Sequence, residues 1–242
     1  MDHPSTPTSG ARSGEHEALQ FERLVFFSDA VFAIAITLLV IEVKVPVFGN
    51  HDAGNLFPSV ELLNEQWPHE FIKLLPKLVG YVISFLVIGQ YWIIHHRNFG
   101  IINRQNRRLL WLNLLFLMSV AFIPFTTGFY SEYLYWSTAL SWCAANIAIA
   151  GLLQWTLWRY ASKNHRLIDP ETNLNQIKQI SMIHLAVPIA FGLAFVGGLF
   201  GIPFGMAITW VVIPIVAKIA RQRFPYPPKN TSGLGETAVP ED

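Results

Sequence analysis

The chain has 242 residues, of which 52% are hydrophobic and only 14% are charged. Soluble domains carry roughly 25% charged residues, so this composition indicates a membrane protein. The formal net charge of +1 excludes a nucleic-acid-binding protein by overall charge, and the single cysteine, Cys143, excludes an intrachain disulfide or a cysteine-rich zinc site.

Both ends of the sequence are polar, and Ser, Pro and Gly are frequent in them. We predict a disordered cytoplasmic tail at residues 1–20, because this stretch lacks the apolar core of a signal peptide. Residues 223–242 have a similar composition with acidic residues at the very end, which predicts a second disordered cytoplasmic tail. Residues 21–222 are predicted to form a single domain of membrane-spanning helices.

Six segments between the tails are long and apolar enough to cross a hydrocarbon core of roughly 30 Å as helices. They cover residues 23–45, 74–96, 109–129, 133–160, 177–200 and 202–220. The connection at 46–73 has partial helical periodicity, which predicts a short surface helix outside the membrane. The predicted fold class is therefore an all-α, multi-pass membrane protein with six transmembrane helices in a lipid bilayer.

Most basic residues lie on one side of the six predicted spans. All but three of the 17 Lys and Arg residues flank that side, and the exceptions are Lys44, Lys73 and Lys77. Because loops rich in Lys and Arg stay in the cytoplasm, both termini are predicted to be cytoplasmic. The spans do not divide into two similar halves, so the sequence does not support an inverted-repeat transporter.

The first predicted span contains polar residues that are costly inside a membrane and are therefore candidates for function. Four residues share one stripe of a helix that turns about 100° per residue: Ile34, Thr37, Leu38 and Ile41. Asp29 lies about 140° from Ile34 and therefore outside this stripe. The beginning of the span is thus predicted to hold the helix against its neighbours, and the remainder is predicted to present an apolar lining.

Asp29 is assigned a structural hydrogen-bond or ion-pair role in preference to direct ion coordination, because a buried carboxylate needs satisfied partners. The candidate partners are Arg23, His95 and Asn113, which share a similar predicted depth. The alternative is a proton- or sodium-coupled secondary transporter in which Asp29 or His95 takes up and releases a proton. A membrane-embedded enzyme has little support, because the sequence contains no GxSG or HExxH motif.

Two polar residues further along the first span have two interpretations each. Thr37 either donates a hydrogen bond to a carbonyl one turn earlier or lines a conduction path. Glu42 is either a solvated charge at the outer end of the helix or, if several copies converge, part of an outer mouth that attracts cations. The sequence alone leaves both pairs of alternatives open.

Three short motifs occur in order on the first three predicted spans. They are Arg23, Phe27, Ser28 and Asp29 in an R-x-x-x-F-S-D pattern, Trp92 and His95 in a W-x-x-H pattern, and Asn113 and Pro124 within "LLWLNLLFLMSVAFIPFTT". Together they resemble the transmembrane protein 175 family, the potassium channels of lysosomes and their prokaryotic relatives. The resemblance covers residues 21 to about 130 closely and is supported beyond that by the number of spans.

The resemblance implies a passive channel that conducts potassium ions with modest preference over sodium, and it implies neither enzyme activity nor a cofactor. Animal members carry two six-helix repeats per chain and this chain carries one, which implies a homotetramer in a prokaryotic plasma membrane. The first helix would line a central pore. The implied pore residues are Ile34 and Ile41 at hydrophobic constrictions, Leu38 beside them on the stripe, and Thr37 at the selectivity position. The implied structural polar network, which lies away from the ion, consists of Arg23, Phe27, Ser28, Asp29, Trp92, His95 and Asn113.

Overall fold

The computed structural model describes residues 9–46, 59–202 and 207–226, and these residues form helices without a β-strand. In chain order the helices are α1 (Ser9–Leu38), α2 (Val60–Phe99), α3 (Arg107–Ala121), α4 (Ile123–Glu132), α5 (Ser137–Ser162), α6 (Leu174–Leu199) and α7 (Ala207–Arg223). A short 3-10 turn, Leu39–Glu42, continues α1. The predicted all-α fold class is confirmed for the described residues.

Five stretches of the described chain are long and apolar enough to cross a membrane, which makes this a multi-pass membrane protein. They are α1 with its 3-10 turn, α2, α3 together with α4, α5 with the residues after it, and α6. The predicted sixth span at 202–220 is described only in part, because residues 203–206 lie outside the described residues. α7, a helix of 17 residues, begins at Ala207 within this region and ends at Arg223, beyond the predicted end.

The segment predicted as a disordered N-terminal tail is helical from Ser9 onward, because α1 begins there. The stretch that precedes the membrane, "EHEALQ", contains strong helix formers, and an established helix extends at little cost. Gln20 and His16 are joined by a side-chain hydrogen bond of 2.9 Å across one turn. Residues 1–8 and 227–242, which complete the two predicted tails, lie outside the described residues.

The predicted surface helix and the predicted second span form one continuous helix, α2, of 40 residues. Ser59 caps it by accepting a hydrogen bond from the Leu62 backbone N–H at 3.3 Å. Pro68 and Pro76 lie inside the helix without ending it, although each removes one backbone donor. Residues 47–58 of the predicted outer connection lie outside the described residues.

The predicted third span is interrupted at Phe122, which separates α3 from α4. Pro124 lies in the first turn of α4, and its ring cannot coexist with a continuous helical ladder through the preceding turn. The Asn146 side-chain amide from α5 lies 3.2 Å from the Thr126 hydroxyl and provides a polar contact just beyond the break. The span therefore consists of two halves, α3 and α4.

Two clusters of buried side chains hold the helices together. One surrounds Phe32 and Phe116 and joins the six helices from α1 to α6. The other surrounds Leu109 and Trp158 near the beginning of α3 and the end of α5. An isolated bridge between Ile102 and Ile168 ties the connection before α3 to the connection after α5 at this second cluster.

Candidate functional site

The α1 helix has one covered face and one uncovered face. The covered face consists of Leu24, Ser28, Phe32, Ala35 and Leu39, which are all buried and spaced three or four residues apart. The opposite face carries Ile34, Leu38 and Ile41, whose exposed fractions are 58%, 42% and 65%. The chain therefore packs against one side of α1 and leaves the predicted apolar stripe without a covering element among the described residues.

A buried polar chain connects α1, α2 and α3 at the covered face. The Asn113 side-chain N–H donates to Ser28 Oγ at 2.9 Å, and Ser28 Oγ donates to the Leu24 carbonyl at 2.9 Å. His95 Nε2 lies 2.9 Å from Asn113 Oδ1. Because the Asn113 oxygen can only accept, His95 Nε2 carries the hydrogen in this arrangement. Three residues from three separate motifs thus form one continuous network.

Aromatic rings surround the imidazole of His95. Phe99 stacks on it with a centroid distance of 4.3 Å, and Phe116 is nearly parallel at 5.7 Å. Phe32 completes the cage from α1 at 5.5 Å. Nδ1 of His95 is buried and has no hydrogen-bond partner within the described part of the chain. The surroundings therefore fix the orientation of the ring and leave one of its nitrogens unsatisfied.

Asp29 forms a separate contact, since its carboxylate accepts a hydrogen bond of 2.8 Å from the Trp92 indole N–H. Hydrogen bonds from its three predicted partners to Asp29 are not found among the described residues. The reason is angular, because Ser28 points toward α3 whereas Asp29, about 100° further around the helix, points toward the Trp92 side of α2. Arg23 lies about 120° away from Asp29 and is exposed. Trp92 was predicted to belong to the structural polar network, but Asp29 was not named as its partner.

Phe27, the remaining motif residue on α1, lies on the uncovered face with an exposed fraction of 50%. It forms no aromatic pair with another ring in the described ranges. Its neighbour Ser28 is buried and hydrogen-bonded, so the F-S-D motif places three consecutive side chains in three different environments. Only two of the three, Ser28 and Asp29, hold α1 to other helices.

Both interpretations of Thr37 are compatible with its geometry. Its hydroxyl donates to the Ile34 carbonyl at 2.9 Å, and the side chain remains exposed on the uncovered stripe. A hydroxyl whose hydrogen is used in this way has its lone pairs free. Thr37 therefore presents an acceptor oxygen to the space in front of α1, which is the polarity that a cation requires.

The angular position predicted for Ile41 assumed a regular α-helix, whereas α1 ends at Leu38. In the 3-10 turn that follows, side chains three residues apart eclipse each other, so Ile41 lies above Leu38 and about 60° from its predicted angle. Ile41 still has an exposed fraction of 65%, whereas Leu39 is buried. The uncovered stripe thus continues to the outer end of the helix along a changed path.

Glu42 packs against α4 of its own chain. An added Cβ at Gly128 would lie only 2.6 Å from Glu42 Oε2, so the absence of a side chain at Gly128 makes room for this carboxylate. Nearby, Lys77 of α2 forms a 2.7 Å ion pair with Glu132 at the end of α4. Sequence reasoning missed Gly128, Lys77 and Glu132 as contacts of the outer end, because helical periodicity carries no information on which distant residues meet.

We expect Gly128→Ala to raise the melting temperature of the protein less when Glu42 is present than in a Glu42→Ala background. The rise is smaller with Glu42 because the new methyl group displaces the carboxylate. It is larger without Glu42 because Ala favours a helix by about 1 kcal/mol over Gly once the space is free. A double-mutant cycle of thermal unfolding measures the coupling. Additive effects of the two substitutions would contradict the contact.

Comparison with known proteins places these features in a family. The chain is 37% identical over 183 residues to a Streptomyces collinus protein named as a potassium channel, a match covering 72% of this chain and 82% of the relative. It is 32% identical over 182 residues to a Chamaesiphon minutus protein named as a potassium channel, and this match covers 72% of this chain and 84% of the relative. The human endosomal/lysosomal proton channel TMEM175 is 23% identical over 231 residues, and the match covers 43% of that longer protein.

A solved structure and a family model agree with these relatives. The crystal structure of a lysosomal potassium-selective channel TMEM175 homolog from Chamaesiphon minutus matches with a TM-score of 0.66 and 26% identity, covering 83% of this chain and 98% of that one. The model described as endosomal/lysosomal potassium channel TMEM175 matches residues 23–124, the segment that contains all three motifs. The family consists of channels and not of enzymes. With 37% identity across most of both chains and the Ser28–Asn113–His95 network inside the matched segment, this protein belongs to the TMEM175 family.

Proposed function

We propose that this protein is a passive, potassium-preferring channel of a prokaryotic plasma membrane, assembled as a homotetramer around α1. The observation that carries the proposal is the uncovered stripe on α1, in which Ile34 and Ile41 are more than half exposed. An exposed apolar face with one acceptor oxygen, at Thr37, suits the wall of an ion pathway. The two bacterial relatives that are named potassium channels support the choice of ion.

In this arrangement four copies of Ile34 face the pore axis and form its narrowest constriction. A narrow apolar ring closes a pore by expelling water, without a charged plug, and Leu38 and Ile41 extend the dry region outward. A small rotation of α1, or a small widening of the pore, lets water return to the constriction. Four Thr37 oxygens partly replace the hydration shell of a passing ion. Potassium gives up its water more readily than sodium, so the preference is modest. No cofactor takes part.

The polar contacts near the inner end of the stripe keep α1 in register in this proposal. The Ser28–Asn113–His95 network holds the helix to α2 and α3, and the Asp29–Trp92 hydrogen bond adds a second attachment to α2. Both attachments lie off the stripe, so they do not contact the ion. Six spans with both termini in the cytoplasm place the basic loops on the inner side.

The test is ion flux through the full chain reconstituted in liposomes. A potassium gradient alone is expected to drive flux to its equilibrium potential without a counter-substrate, and sodium flux is expected to be smaller. Proton flux is measured in the same vesicles, because vertebrate relatives are named proton channels. Potassium movement that occurs only against a proton or sodium gradient would refute the channel. If the proton flux exceeded the potassium flux, the proton and not potassium would be the main permeant ion.

A coupled transporter is the second candidate, and the unpartnered Nδ1 of His95 is the observation that favours it. Asp29→Asn separates the two functions, because an amide oxygen still accepts the hydrogen bond from Trp92 while the titratable group is lost. For a channel we expect normal assembly and unchanged potassium flux, whereas Asp29→Ala should lower the yield of assembled protein. Loss of flux in a well-assembled Asp29→Asn variant would favour the transporter.

A further inference from the structure

Two arginines converge on one tyrosine ring at the basic side of the protein. The guanidinium carbon of Arg108 lies 5.0 Å from the centroid of the Tyr160 ring, and that of Arg166 lies 4.5 Å from the same centroid. The three residues, named here the Tyr160 cluster, come from the first turn of α3, the last turn of α5 and the connection that follows α5. Both arginines are exposed, and Tyr160 is half-buried.

The Tyr160 cluster is held in place by neighbouring backbone and side chains. Asn106 donates to the Tyr160 hydroxyl at 2.9 Å, and its Oδ1 accepts from the Leu109 backbone N–H at 3.0 Å, which caps α3. The segment that carries Arg166 turns through Asn164 and His165, whose φ angles of 54° and 51° lie in the left-handed region. Residues other than Gly seldom adopt this conformation, so its occurrence twice in succession indicates a fixed turn.

A backbone hydrogen bond and a bridge fix the same turn from its other end. The Leu167 N–H donates to the Ala161 carbonyl at 3.0 Å, which folds the connection back on α5. Ile168 bridges to Ile102, so the connection is also tied to the residues that precede α3. The position of Arg166 over Tyr160 therefore follows from attachments on both α3 and α5.

The positive charge of the cluster has no acidic partner in the parts of the chain that the structure describes. The ion pairs found there join Lys73 to Glu70 and Lys77 to Glu132, both at the opposite end of the helices. Each guanidinium has a cation–π contact with the ring, and neither contact neutralises its charge. The N-terminus of α3 adds partial positive charge at the same place. An anion bound at the cluster would gain charge-assisted hydrogen bonds from its arginines.

The position of the cluster along the helices identifies the kind of anion. Trp111 lies one turn beyond Arg108 on the same face of α3 and is 57% exposed, and Leu115 continues this exposed apolar face. Trp is enriched at the boundary between headgroups and acyl chains. We propose that Arg108, Arg166 and Tyr160 bind the phosphate headgroup of an anionic phospholipid, whose acyl chains lie along α3 at Trp111 and Leu115.

The proposal is tested by native mass spectrometry of the full-length protein titrated with phosphatidylglycerol or phosphatidylcholine in detergent. We expect preferential retention of phosphatidylglycerol by the unmodified protein. The double variant Arg108→Gln/Arg166→Gln should bind phosphatidylglycerol about thirtyfold more weakly, the loss expected for two basic contacts at a membrane surface. Its binding of phosphatidylcholine should not change. Equal affinity of the double variant for phosphatidylglycerol would overturn the proposal.

The matched control is Arg221→Gln/Arg223→Gln, which removes two exposed arginines from the last turn of α7. We expect it to retain phosphatidylglycerol, and an equally large loss would mean that lipid responds to overall charge and not to the Tyr160 cluster. Inorganic phosphate is added as a competitor at the lipid concentration. Displacement of phosphatidylglycerol by inorganic phosphate would identify a site for a free anion and overturn the lipid assignment.

A second pair of variants decides the outcome if the arginine double variant does not purify as a single species. Tyr160→Leu removes the ring on which the arginines converge and should abolish the preference for phosphatidylglycerol. Tyr160→Phe keeps the ring and should retain the preference. Retention of the preference by both variants would refute the site.

Discussion

Replacement of Ile34 by Ala is expected to raise the resting potassium conductance about tenfold or more. The substitution removes most of the apolar bulk from each copy of the proposed constriction, so water enters it more easily. A change of about 1.4 kcal/mol in the free energy of wetting is enough for a tenfold change in the conducting population. Single-channel recording in planar bilayers, with potassium and sodium on opposite sides, measures both conductance and selectivity.

The matched control for Ile34 is Ile149→Ala, since Ile149 of α5 has a similar exposed fraction, 52% against 58%. Ile149 is not on α1, so its replacement should leave the conductance unchanged. Thr37→Val on the Ile34→Ala background should further reduce the preference for potassium over sodium, because it removes the acceptor oxygen and keeps the shape. If Ile34→Ala left the conductance unchanged, Ile34 would not be part of the proposed gate.

Asn113→Ala is expected to cause the largest loss of stability among single substitutions in the polar network. It removes both hydrogen bonds that Asn113 forms between α3 and its neighbours, and it leaves His95 Nε2 buried without a partner. A buried donor left unsatisfied costs about 1–3 kcal/mol, and the cavity adds to this. For a chain of this size each kcal/mol lowers the melting temperature by roughly 2–4 °C. Fluorescence-detected size-exclusion chromatography after heating measures the shift.

Ser119→Ala is the control on the same helix, because the buried Ser119 hydroxyl donates only to the Phe116 carbonyl of α3 itself. We expect a much smaller shift from this variant. If Asn113→Ala and Ser119→Ala were equally stable, the contacts between helices would contribute nothing beyond the local loss of a polar group. Reduced yield of assembled protein from Asn113→Ala alone would support the role of the network in placing α1.

The sequence indicated which polar side chains lie at a similar depth along the helices. It did not indicate which of them form hydrogen bonds with each other. Asp29, Arg23, His95 and Asn113 were expected at one depth, and His95 and Asn113 do meet, together with Ser28, the neighbour of Asp29. Asp29 was expected in the same group but binds Trp92, because depth does not determine which neighbouring helix a side chain faces. A helical wheel gives a direction from one axis, and the identity of the helix in that direction depends on packing of the whole chain.

The other differences between prediction and structure have three separate causes. The surroundings of Ile41 differ from a regular α-helix because a 3-10 turn begins at Leu39. A run of apolar residues does not indicate where such a turn begins. The helix before residue 20 was missed because polar composition suggested disorder while its helix propensity was high. The contact of Glu42 with Gly128 joins residues far apart in the sequence, and periodicity within one segment cannot reveal it.

The interruption at Phe122 also determines how mechanical force can pass through this protein. A continuous helix behaves as one stiff rod, whereas α3 and α4 lack a shared hydrogen-bond ladder and can tilt as two levers about Phe122. The inner part of α1 is fastened to α3 through Asn113, and its outer end rests on α4 at Gly128. A force that tilts α3 and α4 by different amounts would therefore bend α1, the proposed pore-lining helix, between its two supports.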